Sequence, residues 1–577
     1  MFVDLRPDET RAPWAVHYPE TVPARLRYPE EPVWWLLEEA ARTHPERAAC
    51  RYYNSTWSYR QLLENARRFA KVLVRSGLKP GARVGLLLPT CPQYLMACYG
   101  VWLAGGVVVS LSPLSVAEEN GDLLSATNCG FVVALDLFAG QVPAGRAATW
   151  TPLKITLRRD LPFLTRLGYD ASVLRRNIFQ RSFRQRSERS KHWLSVEAMM
   201  SESDSSFAGV HTWNRSAAYM LATGGTTGDP KVVVLTHRNL VANAWQLMHW
   251  VGTEKGKETF LGVLPLFHSY GLSTCVTGGI GMAATLILSH RFQPGPAVEL
   301  IERHRPTMFF AVPAMLAAMN EVLRRRGADL SSLKCCISGG APLASRISET
   351  FAAYSGARVV EGYGLSEASP VTHVNPLDGT DRPGTIGLPL PDTEALVVDR
   401  DTGEQVLGPG QVGELVVRGP QVMLGYWNKP DETRKVLRNS WLYTGDLATY
   451  DEDGFFRIVD RKKDIIITSG FNVYPSEVES VLRRFPNVSD AAVVGVPHPR
   501  RGEVVKAVLV MRRGNPFSRR TFEAFLKQHL AHHKRPRIVE IRESDLPRNF
   551  LGKVMRRRLR GVPPEATPAS RVISLWE

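Results

Sequence analysis

The sequence predicts an α/β fold, with a large N-terminal domain of parallel α/β sheets plus a β-rich subdomain, and a small α+β C-terminal domain. The chain has 577 residues, well above the ~100–200 residues of one typical domain. Short apolar runs alternate with helical patterns as far as about Thr393, which is typical of parallel sheets covered by helices. Beyond that point the runs are short and divided by Gly-rich turns, and a new pattern of helices and strands begins near residue 462.

The first parallel unit is a stretch without charged residues, Val84–Ala117. It is long enough for a membrane span of ~20 residues, but prolines and glycines cut it into short pieces. Val84–Leu88 and Val107–Leu111 predict buried strands, and Gln93–Ala104 predicts the helix between them. A β-α-β unit in a sheet buried on both faces therefore fits better than a membrane span.

The other elements are predicted from the same two patterns. The further strands of the large domain are Phe131–Leu135, Thr285–Leu288, Met308–Val312, Cys335–Ser338, Ala395–Asp399, Glu414–Arg418 and Gly454–Val459. The C-terminal pattern consists of helix Ser476–Arg484, strands Ala491–Val496 and Val504–Met511, helix Arg519–His529 and strand Ile538–Arg542. We place the domain boundary within the charged cluster Asp460–Asp464, which predicts domains 1–461 and 462–577.

The basic character of the chain is local. The net charge is +16, from 72 basic and 56 acidic residues. Residues 154–191 hold 11 Lys and Arg against 3 Asp and Glu, and residues 534–560 hold 10 against 3. Such surfaces favour nucleotides, coenzyme phosphates, anionic membrane or nucleic acid as partners, although plain solvated faces are the alternative.

The segment 153–200 stands apart because apolar residues and arginines are interleaved in it. The apolar residues at helical spacing are Leu174, Ile178, Phe179 and Phe183, and the arginines are Arg175, Arg176, Arg181, Arg184, Arg186 and Arg189. This pattern predicts a basic amphipathic helix, which either packs on its own domain or contacts an anionic membrane.

Seven cysteines and the N-terminal sequence indicate the compartment. The number is odd and the chain contains no CxxC pair, so we expect buried free thiols in a reducing environment. No apolar segment near Met1 resembles a secretory signal. We therefore expect a cytoplasmic protein, with peripheral contact at the inner face of the membrane as one option.

The strongest chemical signal is Thr223-Gly-Gly-Thr-Thr-Gly-Asp-Pro-Lys231, which follows the apolar run Ala217–Leu221. Glycine lets the backbone approach an anion closely, and successive backbone N–H groups form a concave site for phosphate oxygens. The threonine hydroxyls and Lys231 add donors. Because Lys231 lies between Pro230 and Val232, the segment is not a Walker A loop. It predicts a phosphate site of another kind.

This loop resembles the phosphate loop of the adenylate-forming superfamily, which comprises acyl-CoA synthetases, luciferases and the adenylation domains of peptide synthetases. Other motifs of the superfamily follow in its order as far as residue 560. They are Leu264-Pro-Leu-Phe-His268, Ser338-Gly-Gly-Ala-Pro342, Glu361-Gly-Tyr-Gly-Leu-Ser-Glu367, Gly384-Thr-Ile-Gly-Leu-Pro389, Tyr443-Thr-Gly-Asp446, Asp460-Arg-Lys-Lys-Asp464, Ser469-Gly-Phe-Asn-Val-Tyr-Pro475 and Leu546-Pro-Arg-Asn-Phe-Leu-Gly-Lys553. The opening Trp14-Ala-Val-His-Tyr-Pro19 and the basic segment are most similar to bacterial long-chain fatty acid–CoA ligases.

The resemblance implies a reaction in two steps. A carboxylate attacks the α-phosphate of ATP to give an acyl-adenylate and pyrophosphate, and the thiol of CoA then displaces AMP. The first step brings two anions together, so the site needs cations and a metal ion. The expected substrates are a fatty acid, ATP and CoA, with Mg²⁺ as cofactor.

The resemblance also implies a role for each residue of the nucleotide site. Thr223 and Glu367 would bind Mg²⁺. The β- and γ-phosphates would be held by Gly224, Gly225, Thr226, Thr227, Gly228 and Lys231. The adenine would be framed by Gly340, Glu361, Gly362 and Tyr363, the α-phosphate would be bound by Ser366, and the ribose by Asp446 with Arg461.

The remaining implied roles concern the second substrate and the change of state. Lys553, in a Gly-flanked loop that we expect to be exposed, would bridge the carboxylate and the α-phosphate. Lys463 would be the hinge of a mobile C-terminal domain. His268 would either gate the acyl channel or pack in a core, and the coenzyme path would be lined by Ser469, Gly470 and Phe471.

Three positions depart from the superfamily pattern without removing a charge or a ligand. Ala222 stands where a larger residue is usual, Val232 where a glycine follows the loop lysine, and His533 where a tyrosine is common. We expect Val232 to affect the rate rather than the reaction.

Alternatives remain for the substrate and for the class of protein. Apolar runs at Trp245–Val251, Gly271–Ile280 and Phe309–Met319 favour a hydrocarbon-binding wall, and aryl or medium-chain acids stay as options. An acyl-AMP ligase and a non-catalytic basic binding protein are further alternatives. We expect no nucleic-acid partner, and a homodimer is one option for the oligomeric state.

Overall fold

The computed structural model describes residues 13–142, 150–184, 193–223, 231–512, 517–549, 552–561 and 570–575. These residues form two compact units. One consists of Trp14–Glu394 with Arg418–Leu442, and the other contains Ala395–Val417 and the described part of Tyr443–Glu577. The α/β fold is confirmed. The domain boundary in the cluster Asp460–Asp464 stays a prediction.

Two large sheets carry the first unit. In spatial order the described strands of one are Leu388–Pro389, Val371–Val374, Arg358–Gly364, Cys335–Ser338, Met308–Ala311, Thr259–Gly262, Thr285–Leu288, Ala48–Tyr52 and Ser55–Ser58. Those of the other are Gly425–Tyr426, Lys231–Thr236, Ala217–Thr223, Val107–Ser110, Arg83–Leu87, Cys129–Leu135, Thr151–Ile155 and Leu194–Ser195. Both sheets contain runs of parallel strands, as predicted for the large domain.

Two further sheets are more antiparallel. The described strands of the first are Glu394–Val398, Gly413–Arg418, Trp441–Tyr450 and Leu437–Arg438, with Phe456–Arg461 paired to Trp441–Tyr450. Those of the second are Phe471–Val473, Ile466–Thr468, Gly502–Met511, Ile538–Arg542 and Ser570–Ser574, with Val488–His498 paired to Gly502–Met511. The strand predicted from Gly454 begins only at Phe456, because Gly454 has a φ of 82° and lies in the preceding turn.

Helices cover these sheets. The described α-helices are Trp35–Thr43, Tyr59–Arg75, Pro92–Leu103, Ala117–Ala126, Phe163–Arg184, Val196–Ser201, His237–Val251, Ser269–Gly271, Pro294–His304, Pro313–Arg326, Ser345–Ser355, Pro430–Val436, Pro475–Leu482 and Arg519–His529. Leu272–Gly279 is a π-helix, and short 3₁₀ turns include Ser366–Ala368, Lys462–Asp464 and Arg556–Leu559.

The uncharged stretch forms the predicted β-α-β unit. Strands Arg83–Leu87 and Val107–Ser110 pair in parallel, and helix Pro92–Leu103 between them is buried on every side. Its Trp102 Nε1 donates to the carbonyl of Ala218 at 2.8 Å. No helix of the described ranges is long and apolar enough to span a membrane. The charge-free run is therefore explained by burial within the protein.

The cysteines and the basic segment bear on two other predictions. All seven cysteines are buried free thiols, as expected. The basic segment contains helix Phe163–Arg184, and of the predicted apolar stripe Leu174 is exposed. The side chains of Ile178, Phe179 and Phe183 lie outside the described part of the structure, as do residues 185–192.

Candidate active site

A hairpin holds both ends of the predicted phosphate loop. Strands Ala217–Thr223 and Lys231–Thr236 pair antiparallel with Thr223 opposite Lys231, and Thr223 Oγ1 donates to the carbonyl of Lys231 at 3.3 Å. The loop residues between them, Gly224, Gly225, Thr226, Thr227 and Gly228 among them, lie outside the described residues. Val232, one of the three departures, is buried in the core under the hairpin. Its side chain therefore serves packing.

Lys231 is held by a segment that the sequence analysis did not single out. Strand Gly425–Tyr426 pairs antiparallel with Lys231–Thr236, so that Tyr426 lies opposite Val233. The ammonium nitrogen of Lys231 lies 2.6 Å from Glu432 Oε2 and 5.1 Å from the centre of the Tyr426 ring. The ion pair with Lys231, assisted by Lys435, lowers the pKa of Glu432 to about 2. Glu432 thus forms an ion pair with Lys231, the lysine to which the resemblance assigns the binding of phosphate.

Glu367 is joined to the same segment. It lies in the 3₁₀ turn Ser366–Ala368, which follows strand Arg358–Gly364. The Tyr426 hydroxyl donates to Glu367 Oε1 at 2.8 Å, and the Met423 N–H donates to the Glu367 carbonyl at 2.8 Å. Burial and the neighbouring Glu367 carboxylate raise the pKa of Tyr426 well above its ordinary value. The phenol is therefore a neutral donor to a carboxylate.

The predicted adenine residues lie on or just after two parallel strands. Strands Cys335–Ser338 and Arg358–Gly364 pair with Ser338 opposite Glu361, so that their carboxyl ends lie at the same edge of the sheet. Ligands of open α/β sheets bind at this edge. Gly340 follows the first strand with a φ of 81°, and Gly362 and Tyr363 lie on the second.

Two neighbours define this edge more closely. The Leu343 N–H donates to Glu361 Oε2 at 3.2 Å, and burial raises the pKa of Glu361 to about 7. Ser366 Oγ lies 3.2 Å from Ser269 Oγ. Ser366, which follows strand Arg358–Gly364, thereby connects this strand to the turn that follows His268.

His268 caps the turn Ser269–Gly271 and accepts from the Tyr270 N–H at Nδ1, at 3.2 Å. Burial lowers the pKa of His268 to about 4, so the imidazole is neutral. The π-helix Leu272–Gly279 that follows is buried throughout. Both roles expected for His268, as a gate or as a packed side chain, are compatible with a neutral ring.

The second unit holds the predicted ribose pair. Asp446 lies on strand Trp441–Tyr450 directly opposite Arg461 of the adjacent strand, and Arg461 Nε lies 2.8 Å from Asp446 Oδ1. The Asp446 side chain is buried and that of Arg461 is partly exposed. A carboxylate has about four acceptor positions, a capacity that suits the hydroxyl groups of a ribose.

Lys553 belongs to the same unit and lies on a tight turn. The Asn549 N–H donates to the Lys553 carbonyl and the Lys553 N–H donates to Asn549 Oδ1, both at 2.9 Å. Burial lowers the pKa of Lys553 to about 8, with a further contribution from Arg461 that Asp446 opposes. The expectation of an exposed lysine was therefore wrong, because the side chain is half-buried.

Lys463 and the predicted coenzyme path also lie in the second unit. Lys463 occupies the turn Lys462–Asp464, and its carbonyl accepts from Arg560 at 3.4 Å. Ser469 and Gly470 both have positive φ, and the Phe471 ring is exposed. His533 stacks on that ring with a centroid distance of 4.7 Å, so this departure from the family pattern keeps a flat partner for Phe471.

Comparison with known proteins identifies the family. The sequence model of the AMP-binding enzymes matches residues 37–427, and that of the AMP-binding enzyme C-terminal domain matches residues 477–553. The chain belongs to the AMP-binding enzyme family.

Relatives of known name cover nearly the whole chain. It is 37% identical to a long-chain-fatty-acid–CoA ligase of Bacillus subtilis, over 96% of this chain and 98% of the relative. It is 35% identical to a long-chain-fatty-acid–CoA ligase of Escherichia coli O157:H7, over 95% and 97%. The structure of ATP-bound MatB from Rhodopseudomonas palustris superposes with a TM-score of 0.79 at 28% identity, over 92% of this chain and 98% of that one.

The residues that sequence reasoning missed are Tyr426 and Glu432. The sequence around these two residues gives only a weak sign of function. Gly425 and Tyr426 precede a helix that begins at Pro430, and the first turn of that helix contains acidic residues. Nothing local indicates that this strand pairs with Lys231–Thr236, because the two are about 190 residues apart in the chain.

We expect Glu432→Gln to raise the affinity for ATP a few-fold. The resemblance assigns Lys231 to the phosphates of ATP, which would then displace Glu432, and the neutral amide of the variant competes less strongly for the ammonium group. Isothermal titration of ATP measures the effect. Asp431→Asn is the matched control, because Asp431 pairs with Arg434 and its loss changes the net charge equally. Unchanged or weaker ATP binding by Glu432→Gln would contradict competition for Lys231.

Proposed function

We propose that this protein is a long-chain fatty acid–CoA ligase, which adenylates a fatty acid with ATP and transfers the acyl group to CoA. The observation that carries the proposal is the environment of Lys553, a half-buried cation whose pKa is influenced by both members of the Asp446–Arg461 pair. A lysine under the influence of a candidate ribose pair suits a reaction at the α-phosphate of a nucleotide. The near full-length relatives named as long-chain ligases support the acyl substrate.

In the first step a carboxylate oxygen forms a bond to the α-phosphorus, and the bond from that phosphorus to the bridging oxygen of pyrophosphate breaks. Lys553 would stabilise the charge that develops between carboxylate and phosphate, and Ser366 would donate to the α-phosphate. Lys231 and the loop residues Gly224 to Gly228 would hold the β- and γ-phosphates. Each of these groups supplies donors or positive charge where two anions meet.

The chain's residues fit Mg²⁺ at Glu367. The Tyr426 hydroxyl binds Oε1 of Glu367, and within the described residues Oε2 would serve a hard cation. Within the described residues no cluster of three or more His, Cys, Asp or Glu could hold a metal ion, which suits an ion bound mainly by phosphate and water. Glu367 and the hydroxyl of Thr223 would hold Mg²⁺, which when bound neutralises charge on the triphosphate.

In the second step the sulfur of CoA bonds to the acyl carbon and the bond from that carbon to AMP breaks. We propose that Lys463 is the hinge for the change between steps, and that Ser469, Gly470 and Phe471 line the coenzyme path. The exposed Phe471 ring and the positive φ of Gly470 support a surface that a ligand approaches closely.

A long apolar tail suits the interior near His268. Helix His237–Val251 and the π-helix Leu272–Gly279 pack together, and the π-helix carries no charged residue. Each buried CH₂ of a ligand contributes about 0.8 kcal/mol, so a long chain binds tightly without polar anchors. The neutral imidazole of His268 adds no charge beside such a tail.

A screen of acids of graded chain length with ATP, Mg²⁺ and CoA tests the function. Mass spectrometry should detect acyl-CoA and AMP, with the highest turnover for long-chain acids. Dominant aryl-CoA or medium-chain products would reject the long-chain assignment. Acyl-AMP release without CoA dependence would indicate an acyl-AMP ligase, and the absence of AMP with every acid would reject an enzyme of this class.

Variants of Lys553 and Lys463 should separate the two half-reactions. Lys553→Ala should slow acyl-dependent pyrophosphate exchange about 10²–10³-fold, through loss of a transition-state charge contact. Wild-type exchange should also decline above pH about 8, as the ammonium group of Lys553 loses its proton. Arg557→Ala, at an exposed position four residues on, is the control. Near-normal exchange by Lys553→Ala would refute its role.

Lys463→Pro should show the opposite separation, with thioester formation from supplied acyl-AMP and CoA slowed more than adenylation. Proline fixes φ near −65° and so restricts a hinge. Lys463→Ala, which keeps the backbone free, should retain both half-reactions. Undiminished thioester formation by Lys463→Pro at a normal melting temperature would show that the hinge lies elsewhere.

We further propose that the basic segment contacts an anionic membrane, where fatty acids partition. Helix Phe163–Arg184 presents Leu164 and Leu174 to solvent, 79% and 61% exposed, with Leu167 between them on the same face. Exposed apolar side chains beside a net positive segment are typical of helices that lie in a membrane interface. Each Lys or Arg near such a surface contributes ~1 kcal/mol.

Co-sedimentation with vesicles that contain anionic lipid measures this contact. Replacement of Arg175, Arg176, Arg181 and Arg184 by Gln should weaken binding most at low salt, and Leu164→Gln with Leu167→Gln should weaken it at all salt concentrations. Neutral vesicles are the control for charge. Unchanged binding by both sets of variants would show that the segment is a solvated face.

A further inference from the structure

We infer that Tyr426 is a positioning residue that prepares the protein for the complex of ATP with its metal ion. Its hydroxyl holds the carboxylate of Glu367 and its ring supports the ammonium group of Lys231. The inference rests on the proposed function, since it takes Glu367 as the metal ligand and Lys231 as the phosphate cation. One side chain then sets the geometry of both charges.

Three hydrogen bonds fix the backbone at Tyr426 and on either side of it. Its own N–H donates to Thr433 Oγ1 at 2.9 Å. The N–H groups of Leu424 and Trp427 donate to the carbonyls of Val234 and Val232 at 3.0 and 2.8 Å. Tyr426 is buried, so its ring has little freedom to leave this position. A fixed ring is what a positioning role requires.

Glu367 has less support of its own. It lies in a 3₁₀ turn of three residues, and its backbone carbonyl is held by the N–H of Met423. The hydrogen bond from the Tyr426 phenol fixes Oε1 and thereby sets the direction in which Oε2 points. A hydrogen bond to a metal-binding carboxylate orients it, and loss of such a bond costs 10–100-fold in metal affinity in typical proteins, on the order of tenfold here.

The Tyr426 ring acts on Lys231 by a separate interaction. The ammonium nitrogen lies 5.1 Å from the ring centre, within the range of a cation–π contact. The contact depends on the ring and not on the hydroxyl. The two functions of Tyr426 are therefore separable by substitution.

Isothermal titration of ATP with Mg²⁺ and with EDTA tests the inference on the full-length protein. Wild type should bind ATP more tightly when Mg²⁺ is present. In Tyr426→Phe the gain in ATP affinity from Mg²⁺ should be about tenfold smaller than in the wild type. The affinity of this variant for ATP in EDTA should be normal, because the ring under Lys231 remains. Tyr426→Leu should weaken binding in EDTA as well. Tyr59→Phe, which removes a buried hydroxyl that donates to the Ala284 carbonyl, should change neither.

Several outcomes would overturn the inference. A full Mg²⁺ gain in Tyr426→Phe would show that the phenol does not position Glu367. An equal loss with and without Mg²⁺, with a lowered melting temperature, would show a merely structural role. If wild type itself gained nothing from Mg²⁺ while Glu367→Gln also had no effect on ATP binding, the assignment of Glu367 in the proposed function would fail instead.

Discussion

The candidate nucleotide site of this enzyme depends on the pairing of strand Lys231–Thr236 with two partners. One partner, Ala217–Thr223, precedes it directly, whereas the other, Gly425–Tyr426, arrives from about 190 residues further along the chain. The first pairing brings Thr223 and Lys231 together at the ends of the predicted phosphate loop. The second brings Tyr426 under Lys231 and against Glu367. Backbone hydrogen bonds, which every residue type except proline can donate, thus place the charged groups.

The charges of the candidate site are kept in place by paired neighbours. Lys231 has Glu432, Glu367 has the Tyr426 hydroxyl, and Asp446 has Arg461. A buried charge without such a partner would change its protonation state instead. Burial acts on Lys553 in that direction, because it lowers the pKa of this lysine to about 8, a value that still leaves the ammonium group protonated near neutral pH. A cation that is partly stripped of water interacts more strongly with phosphate than an exposed one.

Prediction from sequence succeeded where the signal was local. Strands Thr285–Leu288, Cys335–Ser338 and Ile538–Arg542 and helix Arg519–His529 have the predicted bounds, because an apolar run or a helical period is contained within each. The exposure of Lys553 was predicted wrongly, since a basic, Gly-flanked segment is usually solvated. Lys553 is instead half-buried, and Asp446 and Arg461, about 100 residues away in the chain, both influence its pKa.

The sequence by itself determined the family, the α/β fold and the residues named in the motifs, because these depend on short patterns of residue types. Only the tertiary structure decided which side chains pair with the charged groups of the candidate site. The partners of Lys231 and Glu367, namely Glu432 and Tyr426, come from a strand whose position is set by long-range backbone pairing. Such pairing is determined by the packing of the whole sheet and leaves no local pattern in the residues that it joins.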